Sequence, residues 1–284
     1  MGFFKRNYDK PGPGVSKDEP QKNAFLRFWE IYFRKFFSLS KVNMLFAIPT
    51  IICLVLITFV QSILPNGPFS FLTNYLLVLI FPFLGGLTYV CRNYAREEHA
   101  FIFSDFVDAV KANWKQFLGN GFISVTLYTL LYIAINYYQS QLSNSWFFYI
   151  PFALCVILAI LAIFAEFYIP VMIVTFNLKL RQIYKNAFIF AIMGLWRNIL
   201  ILFIFGVVWF ISEFISYWIV IHLLVSAIVS FFFLFSFFGF LINFTVYPLI
   251  DQFMVQPAKN QNKPQIEKNE SEEDNEPTFR DSLY

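Results

Sequence analysis

The sequence predicts an all-α protein, a polytopic membrane bundle of six transmembrane helices with both termini cytoplasmic and amphipathic helices lying at the inner surface. Three observations carry this. Of 284 residues, 58% are hydrophobic and 14% charged, against roughly 25% charged in an average soluble domain. Three long stretches, 42–91, 116–178 and 198–250, contain only Glu166 and Glu213 as charged residues. All 21 Lys and Arg lie in four blocks, 1–41, 92–117, 179–197 and 251–284, which places those blocks on one side of a membrane.

Each apolar stretch is too long for one span. Fifty helical residues measure about 75 Å, against a hydrocarbon core of about 30 Å. The first stretch breaks at Pro65-Asn66-Gly67-Pro68, because two prolines and a glycine cannot continue a helix. Helices are expected near 43–64 and 69–91. The second breaks at the polar run 139–145, giving helices near 118–138 and 146–178. The third, without a clear turn signal, is divided near Ser216–His222 into helices near 198–216 and 223–248.

The chain thus divides into an N-terminal cytoplasmic segment, 1–41, a membrane domain, 42–250, and an acidic tail, 251–284. The tail, with Pro257, Pro264, Pro277 and the cluster Glu270, Glu272, Glu273, Asp274 and Glu276, is expected to be disordered. The N-terminus lacks the pattern of a cleavable signal, so the first helix is expected to serve for insertion. Within that segment an amphipathic helix is expected near 23–39. Arg27, Glu30 and Arg34 share one face, while Phe25, Trp29, Phe33 and Phe36 lie off it, a pattern suited to the headgroup layer of an anionic membrane.

A second inner-surface helix is expected to open at Ser104 as N-cap, with Phe106, Val107, Val110, Trp114 and Phe117 on one face. A related pattern recurs 82 residues later, where Phe188, Ala191 and Trp196 repeat Phe106, Ala109 and Trp114. A parallel internal repeat and a shared inner-surface pattern both account for it.

Glu166 is the most pointed candidate, because a carboxylate inside a span costs a few kcal/mol if it faces lipid. Pro170, four residues on, deprives the Glu166 carbonyl of its helical donor and suggests an opened, hydrated turn. A proton or cation site and a neutral structural glutamate are both compatible with the pattern. Glu213 and His222 lie near the outer face, within reach of one another across the fifth and sixth helices. Asn136, Asn177, Asn198 and Asn243 are expected to bridge helices. Gly85-Gly86 permits a close helix approach.

On the inner side Arg92, Arg96, Glu97, Trp114 and Trp196 are candidates for interaction. The consecutive Glu97, Glu98 and His99 read as a solvated loop face. His99 and His222 fall on opposite faces, and Cys53, Cys91 and Cys155 are widely spaced, which argues against a metal site or redox motif. No Walker, dinucleotide, nucleophile-elbow or zincin motif occurs, which argues against an enzyme or a cofactor. The expected partner is the lipid bilayer, with no nucleic acid.

The run from Gly85 to Phe106, with Arg92-Asn93-Tyr94-Ala95-Arg96-Glu97-Glu98-His99 at its centre, resembles the YesL family of bacterial membrane proteins, a group classed as a domain of unknown function. Pro11-Gly12-Pro13-Gly14-Val15 and Phe33-Arg34-Lys35-Phe36 are similar too, and the likeness extends over about residues 10–250. It implies a multi-span cell-membrane protein associated with carbohydrate uptake, in an accessory or regulatory role with a carbohydrate transporter or another membrane protein as partner, and no catalytic residues. The alternative reading of the residues themselves is a small-solute or proton-coupled transporter or channel that uses Glu166.

Overall fold

Residues 23–63, 70–218 and 227–257 are described by the structure, a computed structural model, and their regular elements are all helical. In chain order they are α1 (Ala24–Arg34), α2 (Phe36–Ile63), a 3-10 stretch (Ser70–Ile80) continuing into α3 (Phe81–Ala95), α4 (Ile102–Gln141), a 3-10 turn (Trp146–Phe148) opening α5 (Tyr149–Thr175), α6 (Leu180–Met193), α7 (Leu195–Trp218), and α8 (Phe235–Ile250). Helix α8 is flanked by π-helical turns at Ser230–Leu234 and Asp251–Val255. Six helices are long and apolar enough to cross a membrane: Phe36–Ile63, Leu72–Ala95, Ile102–Gln141, Trp146–Thr175, Leu195–Phe214 and Ala227–Val255. His222, most of the break expected near 216–222, and the acidic tail beyond residue 257 lie outside the described residues.

Among the described residues, the segments that carry Lys and Arg are tied to one another and to the adjoining helix ends. Arg27 reaches Glu97, Arg92 reaches Val174, Gln116 reaches Leu178 and Arg197 reaches Thr245. Two apolar cores hold the helices. One joins α1, α2, α3 and α8 through Phe28, Val42, Val90 and Phe240, and the other joins α4, α5, α6 and α8 through Phe117, Tyr168, Ile183 and Ile250.

Helices α3 and α4 pack through glycine. A Cβ on Gly86 would lie 2.7 Å from the Phe106 ring and one on Gly85 would lie 2.7 Å from the Phe117 ring. Reciprocally, Phe81 of α3 covers Gly121 of α4. Small residues let the helices approach until each ring occupies the space a side chain would fill.

Several boundaries differ from the expected ones. The helix expected at 23–39 ends at Arg34, and α2 starts at Phe36, because α1 turns to bury Phe28, Ile31 and Tyr32 rather than continue into the span. Its aromatic contacts are Phe237, Phe240 and Phe244 of α8, while Phe25 and Phe33 stay exposed.

The inner-surface helix and the third span are one helix of 40 residues, since nothing between Ile102 and Gln141 breaks it. At 1.5 Å per residue it is about 60 Å long and outreaches a bilayer core. Ser104 is not its N-cap. The cap position is Phe101, whose N–H donates to Asp105 Oδ2 at 2.9 Å, and Ser104 instead bonds Asp108 from within the first turn. The related pattern at 186–197 is broken at Gly194, and Phe188 is exposed where Phe106 is buried.

Asn43 of α2 shows what a π-helical turn requires inside an apolar bundle. Its Nδ2 donates to the carbonyls of Ser230 and Phe231 at 2.8 and 2.6 Å, and its Oδ1 accepts from the Ser236 N–H at 2.7 Å. These backbone groups, displaced from regular α-helical pairing, find their partners on a neighbouring span.

Candidate functional site

Helix α4 carries Gln116, Asn120 and Ser124 at intervals of four, which sets all three on one face. That face meets Glu166 of α5. Ser124 donates its hydroxyl to Glu166 Oε1, and Asn120 Nδ2 donates to Oε2 at 3.4 Å. From α6, Tyr184 donates to Asn120 Oδ1 at 2.6 Å, which orients the amide with its nitrogen toward the carboxylate. Asn120 and Ser124 are fully buried. Gln116 Nε2 donates to the Leu178 carbonyl at 3.1 Å, and its buried Oε1 accepts from no protein group. Burial pushes the Tyr184 phenol up to about 12, so it is a hydrogen-bond donor throughout the physiological range.

Glu166 thus has two neutral partners, one on each oxygen. Helix α5 runs unbroken through Pro170, so the opened turn expected there is absent.

Arg92 anchors the end of α5 that follows Glu166. Its Nη1 donates to the Val174 carbonyl at 2.7 Å and to Thr175 Oγ1 at 3.1 Å, and Nε and Nη2 both donate to Asn93 Oδ1. The guanidinium lies 4.6 Å from the centre of the Tyr89 ring and is 7% exposed. A cation at a helix C-terminus meets the negative end of its dipole.

The inner-side candidates do not form one cluster. Arg92 is buried beneath α5, and Arg96 pairs with Glu98 at 2.6 Å while lying over Tyr247. Glu97 lies exposed in the turn after α3 and is ion-paired there. Its Oε1 accepts from Arg27 Nη2 at 2.9 Å and its Oε2 from Arg34 Nη2 at 2.7 Å, so the basic face of α1 is turned onto the loop after α3. Glu97 has φ 60, the left-handed region, which aims its side chain at both cations. The Arg34 guanidinium first, and then Arg27, hold its carboxyl below the usual carboxylate range. Trp114 and Trp196 are exposed, at 45% and 82%.

Glu213 is exposed on α7. Of the four asparagines expected to bridge helices, Asn198 does so, accepting from Tyr168 of α5 and donating to Ala191 of α6. Asn136 and Asn243 instead donate to carbonyls of their own helices, four residues back, and Asn177 lies exposed between α5 and α6. Among the described residues no three His, Cys, Asp or Glu side chains converge as metal ligands would.

Asn120, Ser124 and Tyr184 are the residues that sequence reasoning passed over. The four-residue spacing of Gln116, Asn120 and Ser124 was the available signal. Tyr184 had none, since its role depends on how α6 folds back.

By fold this is a helical protein with six helices of membrane-crossing length and composition, and a buried carboxylate set among neutral hydrogen-bond partners. A family model described as "Protein of unknown function, DUF624" matches residues 68–137. That stretch comprises the 3-10 lead-in, α3 and most of α4, and so includes Arg92, Glu97, Asn120 and Ser124 but not Glu166. No curated protein and no solved structure matches the chain.

Proposed function

We propose that this is a non-enzymatic carrier or channel of the cell membrane that moves a small solute or protons, with Glu166 as its proton-binding group. The observation that carries the reading is the pair of neutral contacts on Glu166, from Ser124 and Asn120. Ionised, the carboxylate accepts from both. Protonated, it donates from Oε1 to the Ser124 oxygen, whose hydroxyl turns to another acceptor such as the carbonyl one helical turn back, while Asn120 still donates to Oε2. Neither state leaves a buried polar group unpaired, so the site accommodates gain and loss of a proton. A counter-cation such as Arg would instead favour one state strongly.

The orientation follows from the basic blocks. With Lys and Arg retained on the inner side, both termini, α1, α6 and the protruding first turns of α4 face the cytoplasm. Reconstituted into proteoliposomes, the wild type is expected to show proton-coupled flux that Glu166→Gln abolishes. Wild-type vesicles without flux of protons, cations or sugars would overturn the reading.

A second reading rests on the exposure of Trp196 and Trp114 and on the resemblance to the YesL family. In it the protein is an accessory or regulatory component of carbohydrate uptake, and those two rings contact a transporter. Mild-detergent purification should then recover a transporter with the wild type and lose it with Trp196→Ala. Recovery of the protein alone counts against this reading and leaves the first intact.

A further inference from the structure

We propose that the outer face of α6 binds an anionic phospholipid, with the headgroup held by Lys179, Arg181 and Lys185 and the acyl chains lying over Phe188, Ile189 and Ile192. Helix α6 joins the end of one helix of membrane-crossing length, Trp146–Thr175, to the start of the next, Leu195–Phe214, so it lies where the bundle meets a bilayer surface. Its inner face is occupied. Ile183, Ala187, Phe190 and Ala191 are buried in the core shared with α4, α5 and α8. Phe190 stacks on Tyr168 with ring centres 5.8 Å apart, and Asn198, just past α6, accepts from the Tyr168 hydroxyl at 3.0 Å. Tyr168 precedes the last residue of α5 by seven, about 10 Å of helix, so the second half of α6 lies alongside the span and not beyond its end.

The outer face changes character along that descent. Arg181, Lys185, Phe188 and Ile192, all exposed, follow the spacing i, i+4, i+7, i+11 and form a single stripe within about 60° of one another. Ile189 flanks it, exposed as well. The first half of the stripe is cationic and the second apolar, the order in which a lipid presents its phosphate and then its chains. The apolar half continues into the exposed apolar side chains of α7.

The charge at the upper end is uncompensated. From 167 to 212 the sequence holds Lys179, Arg181, Lys185 and Arg197 and no acidic residue. Among the described residues no Asp or Glu pairs with Lys179, Arg181 or Lys185. The arginines of α1 differ, since both are engaged by Glu97. The anionic-lipid contact expected of residues 23–39 thus falls to α6 instead. A guanidinium and two ammonium groups donate to phosphate oxygens with charge assistance. A soluble anion would satisfy these groups and leave Phe188, Ile189 and Ile192 in water, whereas a lipid covers both halves of the stripe. None of these contacts involves Glu166.

Lipid retention by the purified protein tests the site. Phosphatidylglycerol and phosphatidylcholine are titrated into the detergent-solubilised full chain, and bound lipid is counted by native mass spectrometry. The wild type should hold phosphatidylglycerol in preference. A cation near an anionic lipid surface contributes about fivefold, so Arg181→Gln combined with Lys185→Gln should weaken that binding roughly tenfold or more. Lys41→Gln combined with Lys111→Gln removes the same charge from exposed positions of α2 and α4 and should leave it unchanged. Equal loss from the two pairs, no preference for phosphatidylglycerol in the wild type, or inorganic phosphate bound as tightly as the lipid each overturns the proposal. A nitroxide on Ile192→Cys in phosphatidylglycerol nanodiscs reads the apolar half, with the wild type as the blank for Cys53, Cys91 and Cys155. Oxygen, which concentrates among acyl chains, should relax the label more than a water-soluble nickel chelate does, and the reverse order overturns the proposal whatever the charge variants do.

Discussion

Arg92 of α3 donates to the carbonyl of Val174 at 2.7 Å, two helical turns beyond Glu166 on the same helix. The guanidinium therefore ties the C-terminal end of α5 to α3. Its partners are carbonyl, hydroxyl and amide oxygens.

Arg92→Met should leave Val174 O and Asn93 Oδ1 short of donors in a buried setting. Hydrogen bonds from a charged group are worth about 1.5–3 kcal/mol, so a loss of about that size is expected. Thermal unfolding in detergent measures it. Arg92→Lys, which cannot reproduce the fork, should recover only part.

Asn43→Leu removes the partner of three backbone groups at the π-helical turn. Each buried unpaired group costs about 1–3 kcal/mol, and a total of about 3 kcal/mol is expected. Titration with a denaturing detergent would register the loss, and accelerated amide exchange at 230–236 would localise it.

Gly86→Ala places a methyl group against the Phe106 ring and should cost about 1–3 kcal/mol through overpacking. Phe106→Leu in the same chain should relieve much of that cost. If the two changes simply add, the ring and the glycine are not the contact that sets the α3–α4 spacing.

The ion pairs of Glu97 make the docking of α1 depend on pH and salt. The folded-state value of this carboxyl is lowered, so its stabilisation is present above the ordinary carboxylate range and is lost as pH falls through the lowered value. With side-chain exposures of 37% for Glu97 and nearly half for both arginines, screening limits the effect to about 1 kcal/mol or less. Hydrogen exchange of residues 24–34 should quicken below that range, at high salt, and in Glu97→Gln at neutral pH. Equal protection under all these conditions would show that the aromatic contacts of Phe28 and Tyr32 alone hold the helix.

Much of the architecture was legible because charge is scarce. Stretches such as 42–91 leave no alternative to paired helices, and Glu166 stood out as the one charge in 63 residues, 116–178. What could not be read was which helix faces which. The partners of Glu166 lie on α4, 42 and 46 residues back, the tyrosine that orients one of them lies on α6, and nothing local in Asn120 or Tyr184 announces that they converge. The same holds for Glu97, whose neighbours in sequence suggested solvent while its neighbours in space are Arg27 and Arg34. Helix ends were misplaced for another reason. Charge marks where a chain is at ease in water, but a helix such as α4 continues past that point when nothing in its backbone stops it.

The unbroken length of α4 makes it a lever. Its first turns pack on α3 through Phe106 against Gly86, and Asn120 and Ser124 ride on the same continuous helix. With no proline along the way to absorb a tilt, a shift of that first stretch carries over to the two donors of Glu166. Whatever touches Trp114 therefore has a mechanical hold on the carboxylate.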